Sequence, residues 1–386
     1  MTEQLRDVAV VGAGPAGLVA ALLARAHGAS VVLVAPKAPP RDERTVAMLG
    51  ASVEILEQTG IWPAIAGKAA PLRTMRIVDG TRRLIRAPLV EFHAREVGLD
   101  AFGYNIPNAI LVEALDAAVE QAGIERITAF ASDIQPGDDA VTIVTPDQCS
   151  VRARLVGAAD GRRSRARDAA GLAVRSWSYP QAALVANISH SLPHDDVSTE
   201  FHTETGPFTI VPMPGLHSAI VCVESPAEAE RLSKLDDDQL AAEFERRAHS
   251  IIGKIILRGP RQVFPLSGQT ARHFAARRIA LIGEAAHVFP PIGAQGLNLG
   301  LRDAAAFAAV VGDHRADPGG ADAMAAYDRA RAGDILSRTT AVDALNRTLL
   351  TDFLPVQALR GIGLYAIDRL PVLKRAIMRQ GLAPRV

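Results

Sequence analysis

Residues 7–11 form a short apolar run that stops at Gly12, and from residue 15 to 27 an Ala/Leu-rich segment repeats its apolar positions at helical spacing. A β-branched run, residues 31–34, follows. The pattern predicts strand, glycine turn, helix and strand within about 30 residues, the βαβ unit of a parallel sheet. Helical spacing is also read over residues 45–59 and over residues 108–121, where Asn108 has the side chain of an N-cap. Strands are predicted at 140–145 and 151–157.

From about Trp177 the texture changes. Residues 182–189, 208–212 and 218–223 are strand-like with turn residues between them, and 236–248 reads as a polar-faced helix. Together with residues 72–100 this block predicts a mixed α+β unit inserted into the first. A buried strand is expected again at 278–283 and a helix at 297–311. Gly319-Gly320 then punctuates the chain before long helical stretches at 322–347 and 355–380. The division expected is a discontinuous unit of residues 1–71, 101–176 and 265–330, an inserted unit of 72–100 and 177–264, and a helical region of 331–386.

Composition narrows the class. The chain has 386 residues, more than one hydrophobic core usually serves, and a 48% apolar, 22% charged make-up that excludes a disordered or collagen-like chain. Forty-two basic residues balance 42 acidic ones, so no basic field favours nucleic acid. Cys149 and Cys222 are the only cysteines, too few for a disulfide framework or a zinc or iron–sulfur site. Residues 1–7 are polar and run into a strand, and no apolar run reaches the roughly 18 residues that span a bilayer. The expectation is a soluble, cytoplasmic α/β protein.

Three motifs carry chemistry. Gly12-Ala13-Gly14-Pro15-Ala16-Gly17 lies between the first strand and the first helix. Gly12 permits the tight turn, Gly14 lets backbone approach a pyrophosphate, and Gly17 lets helix and strand pack closely. The phosphates would sit on the helix N-terminus, where free N–H groups and the dipole favour anions. This motif by itself does not separate FAD from NAD(P). The acid that commonly closes the second strand and binds ribose is missing, because that strand ends Val34-Ala35-Pro36-Lys37. Either Asp42 or Glu43 reaches back, or the ribose meets water and backbone. The second motif begins at Arg278, passes Gly283-Glu284 and His287, and continues through Pro290-Pro291, Gly293-Ala294-Gln295-Gly296-Leu297-Asn298 to Asp303. A carboxylate at a strand end suits polyol hydroxyls, and the new helix N-terminus near Gly296 suits a developing anion. The third, Asp160-Gly161-Arg162-Arg163-Ser164, stands at another strand end and would by itself be an ordinary turn.

In this order the motifs resemble those of the class A flavoprotein monooxygenases with the p-hydroxybenzoate hydroxylase-like fold. More narrowly the chain resembles the UbiH/VisC-type ubiquinone-biosynthesis hydroxylases. The shared features are Asp42-Glu-Arg44-Thr-Val-Ala-Met-Leu49, Gly103-Tyr-Asn-Ile-Pro-Asn108, Gly296-Leu-Asn-Leu-Gly-Leu-Arg-Asp303 and Ile367-Asp-Arg-Leu-Pro-Val-Leu-Lys-Arg375, and the likeness spans residues 6–381. It implies an α/β fold: a Rossmann-like FAD-binding domain with an inserted mixed α+β substrate domain and C-terminal helices. It also implies FAD, with Gly12, Gly14, Pro15, Ala16 and Gly17 at the pyrophosphate and Arg44 at the phosphate or flavin side. Asn108 counts among the cofactor-binding positions, and Asp160 and Gly161 lie near the pyrophosphate and NAD(P)H. Gly283 and Glu284 fall at the ribityl chain, and Pro291, Ala294, Gln295, Gly296, Leu297 and Asn298 wall the flavin face and its N1–C2=O edge. Four positions depart from the family pattern: Ala35 for the ribose acid, Glu284 for the usual Asp, Ala109 where a basic residue is common, and Gly293-Ala294 in reversed order.

The reaction implied is reduction of FAD by transient NAD(P)H, then O2 forming a flavin C(4a)-hydroperoxide that hydroxylates an electron-rich ring. The family's substrate is an aromatic, polyprenylated phenol; a small soluble phenol and an FAD-poor scaffold in a biosynthetic complex are the competing readings. His287 reads as a structural or second-layer histidine, and a phenol-activating base from His202, His217 or Glu224 is not singled out. In the tail, Leu359, Ile362, Ala366, Leu370, Leu373 and Ile377 recur at helical spacing, and residues 354–386 hold six basic residues and one acidic one. That helix suits peripheral contact with the inner face of a membrane, or packing on its own fold or on a partner.

Overall fold

The computed structural model describes residues 4–36, 43–81, 88–290 and 295–350, of which 339–350 as helix backbone only, together with residues 365, 369–370, 374–376 and 378. The strand Arg6–Val11, the helix Pro15–Ala26 and the strand Val31–Val34 form where the hydrophobic pattern places them. All four residues of Val31–Val34 are buried, as in a parallel strand covered on both faces. The central parallel strands run in the order Ile279–Leu281, Ser150–Ala158, Arg6–Val11, Val31–Val34, Glu125–Ile127. An antiparallel pair, Asp133–Pro136 and Val141–Val144, extends the sheet from Ser150–Ala158. Leu18, Leu33, Phe307 and Tyr327 lie fully buried in the core that joins this sheet to the helices Pro15–Ala26, Gln295–Asp313 and Ala321–Leu350.

A second sheet of eight strands has the order His287–Val288, Ile255–Ala271, Val174–His190, His217–Glu224, Pro207–Met213, Val197–His202, Thr74–Asp79, Val90–His93. Its pairings are antiparallel except that Thr74–Asp79 lies parallel to Val197–His202. Leu184, Phe208 and Ile220, from three neighbouring strands, bury one face against Leu232, Leu240 and Phe244 of the helices Pro226–Ser233 and Asp237–Arg247. Asp236 starts the second of these helices by accepting a hydrogen bond from Gln239 N, and Ala248 ends it. A small third sheet pairs Gly103–Pro107 with Thr45–Leu49 and Ala70–Pro71.

Two expectations change. Residues 45–59 are not one helix: Thr45–Leu49 is a strand, and the helix is Gly50–Gln58. The side chain of Asn298 takes Leu49 N (2.9 Å) and Ala47 O (2.9 Å), and the antiparallel partner Gly103–Pro107 favours the extended form. Asn108 is the first residue of its helix, not the cap; Pro107 precedes it, and Asn108 N donates to Arg44 O at 2.8 Å. A backbone carbonyl from the neighbouring segment thus does what a cap side chain would do.

The expected helix of residues 355–380 lies mostly outside the described residues. Within it, Met378 is buried beside Ala94 and Phe102, and Lys374 pairs with Glu96 at 2.8 Å. Tyr365 and Leu370 are exposed. Among the described residues, no helix is long and apolar enough to cross a membrane.

Candidate active site

The glycine turn is fixed by strand ends. Gly12 N donates to Val34 O at 3.0 Å and Ala159 N to Val11 O at 2.8 Å, which ties three neighbouring strands together at their carboxyl ends. Gly12 has φ +108°, and a side chain there would overlap the Ala159 carbonyl. A side chain at Gly17 would meet the Gly12 carbonyl. Nothing lies within 4 Å of the place a Cβ would take at Gly14, and the helix that begins at Pro15 has no side-chain cap. Its first N–H groups are therefore left for a ligand, and the helix dipole makes an anion the favoured one.

The second motif closes on the first. Gly283 and Gly300 both lie against the Ala16 methyl. The short turn Gly283–Ala285 leaves Glu284 exposed, with no protein hydrogen bond to its carboxylate among the described residues. Behind it is a buried relay of charge. Asp303, with no exposed surface, accepts from Gly283 N (2.9 Å), His287 Nε2 (2.7 Å) and Arg331 Nε (2.6 Å). Burial works to raise the Asp303 carboxyl, but His287 and Arg331 outweigh it and hold the group below the usual carboxylate range. Arg331 reaches Asp334 (3.1 Å), Asp334 reaches Arg338 (2.9 Å), and Arg338 donates to Gln295 Oε1 (3.2 Å). The relay runs from the strand end at Gly283 to the first residue of the helix Gln295–Asp313. His287 is thereby placed as a buried structural residue.

Pro291 and Ala294 lie outside the described residues. Gly296 is exposed, and a Cβ on it would meet nothing within 4 Å. Leu297 is half-buried. Asn298 is buried and its side chain is occupied: besides Leu49 and Ala47, it accepts from Ser52 Oγ at 2.6 Å.

In the third motif, the backbone of Ala159 and Asp160 lies against Gly12. Asp160 Oδ2 accepts from Ala166 N (3.1 Å), while its Oδ1 is buried with no partner among the described residues. Gly161 follows in the left-handed region. Arg167 was not singled out by the sequence. It is buried, and its Nη1 donates to Arg162 O (3.0 Å) and Ala285 O (3.2 Å), joining the third motif to the second.

The structure thus brings Gly12–Gly17, Asp160–Gly161 and Gly283–Glu284 to one end of the parallel sheet. Arg44 and Asn108 meet elsewhere, at the joint with the eight-stranded sheet, where the Arg44 guanidinium lies 5.7 Å from the centre of the Phe264 ring. Glu43 does not reach back to Ala35: its carboxylate covers Gly259, and its carbonyl accepts from Asn187 Nδ2 at 2.7 Å. Asp42 lies outside the described residues. Of the candidate bases, His202 is buried and bonded to Glu200 (2.8 Å), Glu224 is buried against Arg247, and His217 is exposed where its strand begins.

The matches to known proteins agree with this geometry. The family model described as FAD binding domain matches residues 6–336. The chain is 34% identical to the ubiquinone hydroxylase UbiL of Rhodospirillum rubrum, over 98% of this chain and 90% of that one. It is 28% identical to the 3-demethoxyubiquinol 3-hydroxylase of Escherichia coli, over 99% and 100% of the two chains. In fold it is similar to the p-nitrophenol 4-monooxygenase PnpA of Pseudomonas putida, with TM-score 0.83 and 20% identity over the whole of both chains. An open glycine cradle at a helix N-terminus, a free carboxylate beside it and a family match over most of the length lead to one conclusion: the chain belongs to the FAD-binding domain family, as an FAD-dependent class A monooxygenase of p-hydroxybenzoate hydroxylase-like fold.

Proposed function

We propose that the protein hydroxylates the aromatic ring of a polyprenylated phenol in ubiquinone biosynthesis, with NAD(P)H and O2 as co-substrates. The 34% identity with a ubiquinone hydroxylase over 98% of the chain carries this reading. FAD, when bound, supplies the passage of electrons to oxygen. In this reading the turn of Gly12, Gly14, Pro15, Ala16 and Gly17 holds its pyrophosphate, with Pro15 fixing the helix start and the other residues offering backbone N–H groups. Glu284 accepts from the ribityl hydroxyls, and Asp160 and Gly161 border the pyrophosphate and the reductant. The helix start at Gln295, Gly296 and Leu297, with Pro291 and Ala294 before it, places a positive dipole end beside the flavin ring. Asn298 fastens that helix to Thr45–Leu49, and Asn108 holds the Arg44 carbonyl on the flavin side. The ring to be hydroxylated lies between the cofactor and the eight-stranded sheet, which shields it from water.

The tail serves two ends here. Met378 and Lys374 anchor it to the body, while Tyr365, Arg369, Leu370 and Arg375 remain exposed for peripheral contact with the inner face of a membrane, where a polyprenylated substrate resides. Profiling of quinone intermediates in a strain lacking the gene tests the function. A polyprenylated precursor short of one ring hydroxyl should accumulate, and an unchanged quinone profile would overturn the proposal.

A further inference from the structure

One part of the dinucleotide site is left without its usual partner. In open parallel sheets the ligand lies beyond the carboxyl ends of the strands, with pyrophosphate at the turn after the first strand and adenosine over the end of the second. Here the second strand ends at Val34, and Ala35, 1% exposed, follows it at the place of the ribose carboxylate. Ala35 N donates to Ile127 O at 3.1 Å, and Ile127 closes the neighbouring parallel strand. The chain then turns at once, because Ala129 N returns to the same carbonyl at 2.9 Å. The next residue, Phe130, is 68% exposed. The far side of this loop is also held: Arg165, just after the Asp160-Gly161 motif, donates through Nη1 to Ser132 O at 2.8 Å and to Ala131 O at 3.5 Å. A lone exposed aromatic residue on a surface needs no explanation. The backbone on either side of this one is held, between the strand end that receives adenosine and the segment that borders the pyrophosphate.

We propose that Phe130 is the stacking platform for the adenine of FAD, replacing with a π-face the hydrogen bonds that a ribose carboxylate at position 35 would make. Any adenine offers a face to such a ring, so the contact does not depend on the ribose hydroxyls. The inference rests on the placement of the pyrophosphate at Gly12–Gly17.

Apoprotein titrated with FAD and, separately, with FMN tests it through quenching of flavin fluorescence. Phe130→Ala should weaken FAD about ten-fold, the scale of a lost base-stacking contact, and leave FMN unchanged. Phe130→Trp should restore FAD affinity. FAD affinity within two-fold of wild type in Phe130→Ala overturns the proposal. Equal losses for FAD and FMN also overturn it, leaving the placement of the pyrophosphate intact. Wild-type protein that binds FMN as tightly as FAD would remove both, since the adenosine half would then make no contact.

Discussion

At the carboxyl ends of the parallel strands, a Cβ at Gly14 would meet nothing within 4 Å and Glu284 stands exposed without a partner among the described residues; in the eight-stranded sheet, Glu224 is bound to Arg247 and His202 to Glu200. Both regions contain the carboxylates and histidines from which acid–base sites are made. The first leaves donors and an acceptor unpaired around a cradle, while the second spends its charges on the fold. Arg247 alone binds Glu224, Glu228 (3.3 Å) and Glu243 (2.7 Å), and its strong pairing leaves none of the three free for a proton transfer. The division suits a reaction whose hard chemistry belongs to a bound cofactor.

The comparison breaks most sharply at Gly12. Gly12→Ala combines overlap with Ala159 O and a positive φ, so loss of several kcal/mol of stability is expected together with loss of bound flavin. Thermal melting and flavin absorbance of the purified variant check both at once. In the other region, Arg247→Met strands the buried Glu224 carboxylate, while Glu228 keeps Arg231 and Glu243 keeps Arg246. It should cost about 3 kcal/mol by urea denaturation, while the folded fraction keeps its FAD affinity. A variant that lost FAD in proportion would show that the two regions are not separable.

Glu284→Ala should act in the opposite sense. Its charge-assisted hydrogen bonds are each worth about 1.5–3 kcal/mol, so FAD should bind ten-fold or more weakly while the apoprotein melts as before. Glu284→Asp should bind FAD as well as wild type or better, and equal FAD affinity in Glu284→Ala and wild type would remove the carboxylate from the site.

The smallest effect is one of pH. Burial pushes the Glu243 carboxyl up, but hydrogen bonds from Arg246 and Arg247 more than reverse this and bring it to about 2. A carboxylate depressed in the fold stabilises it fully above the ordinary value of 4.5, and that stability is lost as pH falls toward 2. Urea midpoints measured across this window should fall less steeply in Glu243→Gln than in wild type.

The glycine turn was legible because its geometry restricts the residues: only glycine serves at position 12, where a side chain would overlap the Ala159 carbonyl. The helix Asp237–Arg247 was equally plain, since Asp236 and an apolar stripe mark it locally. What escaped depends on partners distant in sequence. Thr45–Leu49 became a strand through Gly103–Pro107 and the Asn298 side chain, none of which is visible in a local window. Arg167 is one of four arginines between positions 162 and 167, and only folding buries that one against Ala285 O. Glu43 was a reasonable candidate for the ribose until its segment turned toward Asn187 and Gly259.

If the protein acts as proposed, one oxygen atom from O2 enters the ring of a polyprenylated phenol. Holoenzyme supplied with NAD(P)H, a short-chain prenylated phenol and oxygen-18 gas tests it directly by mass spectrometry of the product. The account predicts a hydroxylated ring carrying a single oxygen-18 atom, formed only with FAD and reductant present. A product whose new hydroxyl carries oxygen from water, or reductant consumed with no hydroxylated product, would contradict it.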